Sequence, residues 1–173
     1  MTTTFSMNGP VDIEKVANCD RLFEYEPSMY PGLIFRKKEP RIGFIIFSSG
    51  KVVCTGGKKL GEVRIAMNEL FGRLRGAGFE FESLPEPKIR NLVAIADFGH
   101  KIDIESLSSS TGGAIYELEQ FPALIYRTGR GKLVVLIFSS GKAILTGART
   151  YADLNFAHDT VKEILDEARV NPN

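Results

Sequence analysis

Phe47-Ser48-Ser49-Gly50-Lys51 returns further along the chain as Phe138-Ser139-Ser140-Gly141-Lys142. The interval, about 91 residues, also carries Thr55-Gly56 onto Thr146-Gly147 and Asp12-Ile13-Glu14 onto Asp103-Ile104-Glu105. It carries Tyr25-Glu26 onto Tyr116-Glu117, and Pro31, Leu33, Ile34 and Arg36 onto Pro122, Leu124, Ile125 and Arg127. One ungapped shift serves them all, which chance does not produce. Only two copies fit in 173 residues, so the chain is not a solenoid. Two copies imply a pseudo-symmetric pair that completes one structure.

Working outward from the Ser-Ser-Gly motif, each copy reads the same way. Glycine at 50 and 141 suits a tight hairpin turn, because glycine reaches positive φ cheaply. The runs on either side, Ile42 to Phe47 and Lys51 to Thr55, read as strands, as does Leu33-Ile34-Phe35 before them. Asp12 and Asp103 are N-caps for short amphipathic helices. A longer helix closes each copy. Val63, Ala66, Met67, Leu70 and Leu74 give the first its apolar stripe, and Leu154, Ala157, Val161, Ile164, Leu165 and Ala168 the second. Thr150 with Asp153 forms a capping box with a shortened acid, and Gly76 and Gly78 end the first long helix. Pro85-Glu86-Pro87 links the copies, and a strand from Ile89 to Ala96 opens the second. Sheets covered by helices on one face leave the other face free for a ligand.

Charge does not name that ligand. There are 22 Lys and Arg against 21 Asp and Glu, a net charge of +1, so nucleic-acid binding has to be argued from where the charges sit. The apolar runs, such as Leu133 to Phe138, are too short to span a membrane. Met1-Thr2-Thr3-Thr4 lacks the basic region and apolar core of a secretory signal. Cys19 and Cys54 make neither a disulfide framework nor a metal site, and are read as reduced, half-buried residues. His100 and His158 are isolated from any nucleophile or ligand cluster. His158 falls on the packed stripe of its helix, where the first copy has Met67, and is read as structural. Gly129-Arg130-Gly131-Lys132 and Gly56-Gly57-Lys58-Lys59 lack the spacing of a phosphate loop. The chain is read as no enzyme, with no cofactor, metal, membrane or small-molecule substrate.

The segments Tyr25-Glu26-Pro27, Tyr30-Pro31-Gly32-Leu33-Ile34, Glu39-Pro40-Arg41 and Ile46 to Gly56, with their second-copy equivalents, resemble the core of the TATA-box-binding protein family over nearly the whole chain. The resemblance implies an α+β fold: two pseudo-symmetric repeats forming a saddle of curved antiparallel sheet, with helices on the convex face. The repeats are placed at 1–84 and 85–173. The short sequence before the first repeat suggests an archaeal-type or minimal protein, cytoplasmic in an archaeon and nuclear in a eukaryote. The implied function is that of a general transcription initiation factor. It binds and bends A·T-rich promoter DNA through the minor groove and recruits transcription factor B and RNA polymerase.

The same resemblance assigns roles residue by residue. Tyr30 with Phe47, and Phe121 with Phe138, match the apolar wedges that enter base steps; taken alone, such aromatics also suit a core. Tyr30 replaces the family's usual Phe, and its hydroxyl costs desolvation unless partnered. Ile45, Val53, Thr55, Leu136, Ile144 and Thr146, with Val93 and Ile95, match the groove-floor surface. Alternation puts Cys54 on the opposite face. Asn91 matches an asparagine that donates to bases near the dyad, suiting the acceptor-only minor-groove edge of A·T pairs. Arg36, Arg127, Lys51, Lys142, Lys58 and Arg149 match phosphate-facing positions. The loop Glu117-Leu118-Glu119-Gln120 matches the stirrup where transcription factor B docks, carried by Glu117 and Glu119. Leu118 and Gln120 depart from the usual Pro and Leu.

A rival reading is a diverged paralogue that keeps the saddle, binds proteins and has weak or no affinity for DNA. Its basis is the opening strand of the first copy. Shifted back by the repeat interval, Val93 falls on Thr2, and Asn91 has no counterpart. The first copy is expected to present only Thr2 and Thr4 there, with a shortened strand that leaves part of its neighbour's backbone unpaired.

Overall fold

A computed structural model describes residues 1–170. The chain divides into two compact units, Met1–Arg90 and Asn91–Asn173, of which the second is described to residue 170. The division falls inside a strand, and each unit is taken here by itself.

In the first unit the order is β1 (Thr2–Ser6), α1 (Ile13–Cys19), β2 (Phe23–Glu24), β3 (Leu33–Lys37), β4 (Ile42–Ile46), β5 (Lys51–Thr55) and α2 (Leu60–Gly76). Its strands lie β2-β3-β4-β5-β1, all antiparallel. The second unit repeats this with β6 (Lys88–Asp97, its first residues still in the first unit), α3 (Ile104–Ser110), β7 (Ala114–Ile115), β8 (Ala123–Arg127), β9 (Val134–Phe138), β10 (Lys142–Ala148) and α4 (Tyr151–Val170). Its strands lie β7-β8-β9-β10-β6.

Period-2 alternation decides which side chains meet the helices. Leu33, Phe35, Phe44, Ile46, Val52 and Cys54 are buried, while Ile34, Ile45 and Val53 between them stay partly open. The buried set packs against Val63, Ala66, Met67, Leu70 and Leu74 of α2, the stripe read from the sequence, and against Phe71, which that reading passed over. Phe5, Phe44 and Phe71 form an aromatic centre, with ring centroids 6.0 to 6.3 Å apart. In the second unit Leu124, Val135, Ile137, Ala143 and Leu145 meet Ala157, Val161 and Leu165 of α4, with Leu154, Ile164 and Ala168 half-buried beside them.

The repeat holds at the level of single hydrogen bonds. Met7 N–H donates to the Gly50 carbonyl and Phe98 N–H to that of Gly141, each at 2.9 Å. Val11 N–H reaches Ser48 O at 2.9 Å and Ile102 N–H reaches Ser139 O at 3.0 Å. Gly50 and Gly141 have φ of 78° and 89°. A Cβ at either would run into the carbonyl oxygen of Gly9 or of His100. Glycine is therefore required twice over, for the turn and for this close approach. Asp12 caps α1 through Lys15 N–H at 3.0 Å, and Asp103 caps α3 through Glu105 and Ser106. Those backbone amides, Ser106 first, hold the Asp103 carboxyl below its ordinary value.

Three expectations need correction. Every residue of β5 is paired with β1, from Thr2 opposite Thr55 to Ser6 opposite Lys51, so the first strand leaves no part of that neighbour without a partner. Five residues are enough because β5 is itself only five residues long. Cys19 is exposed at the end of α1, not half-buried; Cys54 is buried as expected, and both are free thiols. Burial pushes the Cys54 thiol up. His158 is about half exposed and lies off the packed stripe, one ring face stacked on Phe98 at 5.5 Å and Nδ1 3.2 Å from Asp159.

A small ionic network ties the helices of the first unit to its sheet. Arg73 on α2 reaches Asp20 at 2.8 Å and Glu69 at 3.3 Å, with its guanidinium 5.6 Å from the Phe35 ring centre. Lys37 on β3 pairs with Glu69. The Leu22 backbone N–H and Arg73 hold the Asp20 carboxyl low, and Lys37 followed by Arg73 does the same for Glu69. Depressed carboxylates stabilise the fold above their unfolded values and lose that contribution as pH falls through their folded ones. Arg73→Leu is expected to cost about 1 kcal/mol at pH 7, the scale of a partly exposed network. In calorimetry the gap in Tm between the two proteins should close as pH is lowered through 4 towards 3.

Candidate nucleic-acid interface

The residues that alternation keeps away from the helices line up across the strands. In the first unit Ile34 lies opposite Ile45, Ile45 opposite Val53, and Val53 opposite Thr4. In the second unit Ile125 lies opposite Leu136, Leu136 opposite Ile144, and Ile144 opposite Ile95. These rows are the same positions one repeat apart, and they put the expected groove-floor residues Ile45, Val53, Leu136 and Ile144 on one open surface per unit. Thr55 stands opposite Gly43, which faces Arg36, and Thr146 stands opposite Val134, which faces Arg127. Val93 and Ile95 are 51% and 72% exposed, far more than the side chains of a core strand. Ile34 and Ile125 belong to these rows, and the repeat shift together with the alternation would have found them.

The aromatic pairs sit at the end of this face. Tyr30 and Phe47 have ring centroids 6.2 Å apart, as do Phe121 and Phe138. Tyr30 is 41% and Phe121 39% exposed, so these aromatics are not core. The turns that deliver them are identical. The Glu26 carbonyl accepts from Met29 and Tyr30, and the Glu117 carbonyl from Gln120 and Phe121. Between turn and strand stands Gly32, where a Cβ would lie 2.7 Å from Ile45 Cγ2 and 3.0 Å from the Tyr30 ring. Exposed aromatic rings beside an apolar row suit insertion between stacked bases, since both ligand and wedge are flat and apolar.

Asn91 is oriented by a feature that sequence reading did not supply. The register of β10 against β6 shifts between Leu145 and Ala148. Gly147 lies in that irregularity with φ of 85°. Its N–H is taken up by Asn91 Oδ1 at 3.0 Å. Because a backbone N–H can only donate, the amide oxygen is committed inward, and Nδ2 is the end left to donate outward.

The expected phosphate-facing cations all lie at the surface of their units. Arg36, Lys51, Lys58, Arg127, Lys142 and Arg149 are all exposed. Arg36 is not waiting unpaired: it holds Glu24 in an exposed ion pair. The matching position in the second unit is Ile115, so Arg127 has no such carboxylate. Lys58 and Arg149 immediately precede the long helices, and their backbone N–H groups donate to Glu62 and Asp153 at 2.7 and 3.1 Å. Thr150 and Asp153 form the expected reciprocal capping box, at 3.0 and 3.1 Å. The amide of Arg149 first, then the Thr150 hydroxyl, holds the Asp153 carboxyl below its usual range. Arg90 was passed over in the sequence. Its Nε donates to Thr4 Oγ1 at 2.7 Å, and with Lys51 and Lys88 it borders an open depression of about 500 Å³ floored by Phe47 and Val53. Glu117 and Glu119 are exposed on the turn before Phe121. Among the described residues no group of His, Cys, Asp and Glu could hold a metal ion, and no helix is long and apolar enough to cross a membrane.

A family model described as transcription factor TFIID, or TATA-binding protein, matches residues 1–77 and 86–168. The chain belongs to the TATA-binding protein family. It is similar to the TATA-box-binding protein of Methanocaldococcus jannaschii, 42% identical over 89% of this chain and 86% of the relative. It is also similar to that of Archaeoglobus fulgidus, 38% identical over 90% and 86%. A protein named TATA-box-binding protein 2 in Haloferax volcanii is 35% identical over 90% and 85%. Among solved structures, one titled Methanococcus jannaschii TBP overlays with a TM-score of 0.88 at 38% identity, covering 96% of this chain and 95% of that one. The α+β, two-repeat fold class read from the sequence is thereby borne out. Membership makes the chain a transcription initiation factor; the TATA-binding protein family is not one of enzymes.

Exposure separates the open-face aromatics from the core ones energetically. Phe44→Ala should cost about 3 to 5 kcal/mol, as a fully buried ring does. Phe121→Ala should cost less than about 1 kcal/mol. Denaturant unfolding of the two variants measures the difference, and an equal loss would mean that Phe121 is structural.

Proposed function

We infer that the chain binds A·T-rich promoter DNA through the minor groove, kinks it with the aromatic pairs, and recruits transcription factor B and RNA polymerase, acting in the cytoplasm of an archaeal cell. The observation that carries this reading is the pair of aromatic couples, each with one exposed ring, Tyr30 or Phe121, and built alike in both repeats beside rows of aliphatic side chains. TATA-binding proteins are themselves a type example of kinking by apolar wedges. The minor groove of A·T pairs offers acceptors and a smooth apolar wall. Aliphatic rows with an outward amide donor at Asn91 complement that wall, and the exposed Lys and Arg supply salt-dependent attraction to phosphates. The rival paralogue reading would keep the fold and lose this affinity, so one bending experiment separates the two.

A doubly labelled A·T-rich duplex should show end-to-end shortening by energy transfer when the chain is added. The Phe121→Ala, Phe138→Ala double variant should abolish the shortening, and equal bending with and without those rings would overturn the wedge assignment.

Docking of transcription factor B is placed on Glu117 and Glu119, which stand exposed on the stirrup before Phe121. Their carboxylates suit a basic partner surface, and rim charges of this kind set association rate and register. Reversing both to Lys should lower ternary-complex formation in a mobility shift about tenfold or more while DNA binding changes less than about twofold. Loss of DNA binding instead would place that loop on the DNA.

A further inference from the structure

The two aromatic wedges share their turn, ring spacing and exposure, and differ by one oxygen atom. Tyr30 stands where the second repeat has Phe121. Among the described residues the Tyr30 hydroxyl takes part in no hydrogen bond. Its ring nevertheless has a defined seat. Gly32 leaves the space that it fills, with ring carbons 3.0 and 3.3 Å from where a Cβ would stand, whereas the second repeat has Ala123 at that position, 1% exposed. The phenol is thus held on the open face by packing, and its hydroxyl has no hydrogen-bond partner among the described residues.

We propose that Tyr30 lets the first repeat accept a G·C pair at the base step it enters, while the all-phenylalanine wedge of the second repeat rejects one, and that this difference orients the chain on asymmetric promoters. The inference rests on the minor-groove reading given above. In that groove A·T pairs present only acceptors, and a G·C pair adds the guanine amino donor. A Phe edge driven against that amino group strips its water and offers nothing in return. The Tyr30 hydroxyl can accept from the amino group and donate to a neighbouring ring acceptor, so both partners leave water with a bond in hand. At an all-A·T step it still donates. Tyr30 therefore tolerates both kinds of step, and Phe121 only one.

The test uses three duplexes: an all-A·T site, the same site with one G·C pair at one outer step, and one with G·C at both. One exposed thiol, Cys19 in the first unit, carries a tethered cleavage reagent that reports orientation; Cys54 is buried. The single G·C pair is expected to weaken binding less than about twofold, and two to weaken it about 3- to 10-fold, the scale of one unmade hydrogen bond. On the singly substituted site, cleavage should gather at the G·C end. Tyr30→Phe should pay the larger penalty already at one G·C pair and cleave both ends alike, and Phe121→Tyr should relieve the penalty at two. Equal penalties for the natural chain and Tyr30→Phe, with unbiased cleavage, would overturn the proposal. Failure to bind the all-A·T duplex would overturn the minor-groove reading itself, so the two failures are distinguishable.

Discussion

Burying one face of a sheet under helices while leaving the other bare is the constraint on which everything else in this chain depends. Each helix stripe removes Leu33, Phe35, Phe44 and Ile46, or Leu124, Val135 and Ile137, from water. That burial supplies the driving force, at about 25 cal/mol per Å² of apolar surface. The open face cannot contribute in the same way. Ile34, Ile45 and Val53 are apolar there without being covered, and Ile95 is 72% exposed. An aliphatic surface in contiguous rows is costly to leave in water and marks a binding site.

Register turns that surface into a pattern. A slip of one residue would carry every Ile of the rows into the helix face and every Phe of the core into solvent. The Ser-Ser-Gly hairpins prevent it. Their glycines come so close to Gly9 and His100 that no other residue fits, and the flanking amides at Met7, Val11, Phe98 and Ile102 pin the same carbonyls in both units. Rigidity at the hairpins thus fixes which side chains stand beside Tyr30 and Phe121 when a ligand arrives.

Reading the sequence reached the elements, the stripes of α2 and α4, the capping residues and the open rows, because each follows from a local period or from the repeat. It missed what depends on partners distant in sequence. The β10 irregularity that frees Gly147 N–H for Asn91 has no local signature, since Thr-Gly also occurs in the first copy. Pairing of β1 along all of β5 was misjudged because strand length was compared between the copies and not with the neighbour. Cys19 was judged by residue type and His158 by the repeat shift onto Met67, and both lie where the helix surface turns outward. The Arg36–Glu24 pair joins β3 to β2, and Arg90 with Thr4 joins β6 to β1. Both contacts depend on strand order, which periodicity does not encode.

The differences between the copies fall into two kinds, and the distinction carries functional weight. Core positions exchange one hydrophobe for another, Phe44 for Val135 or Val52 for Ala143, and the units repack without changing register. Open-face positions exchange chemistry: Thr4 for Ile95, Tyr30 for Phe121, and Glu24 for Ile115 beside the flanking arginines. A scaffold with two equal halves cannot tell one direction along a ligand from the other. Polar atoms confined to one half can, because each is satisfied by only some of the base pairs it meets. Direction is therefore written on this chain in the few open-face side chains that break the repeat, and each unit's own core holds them in place.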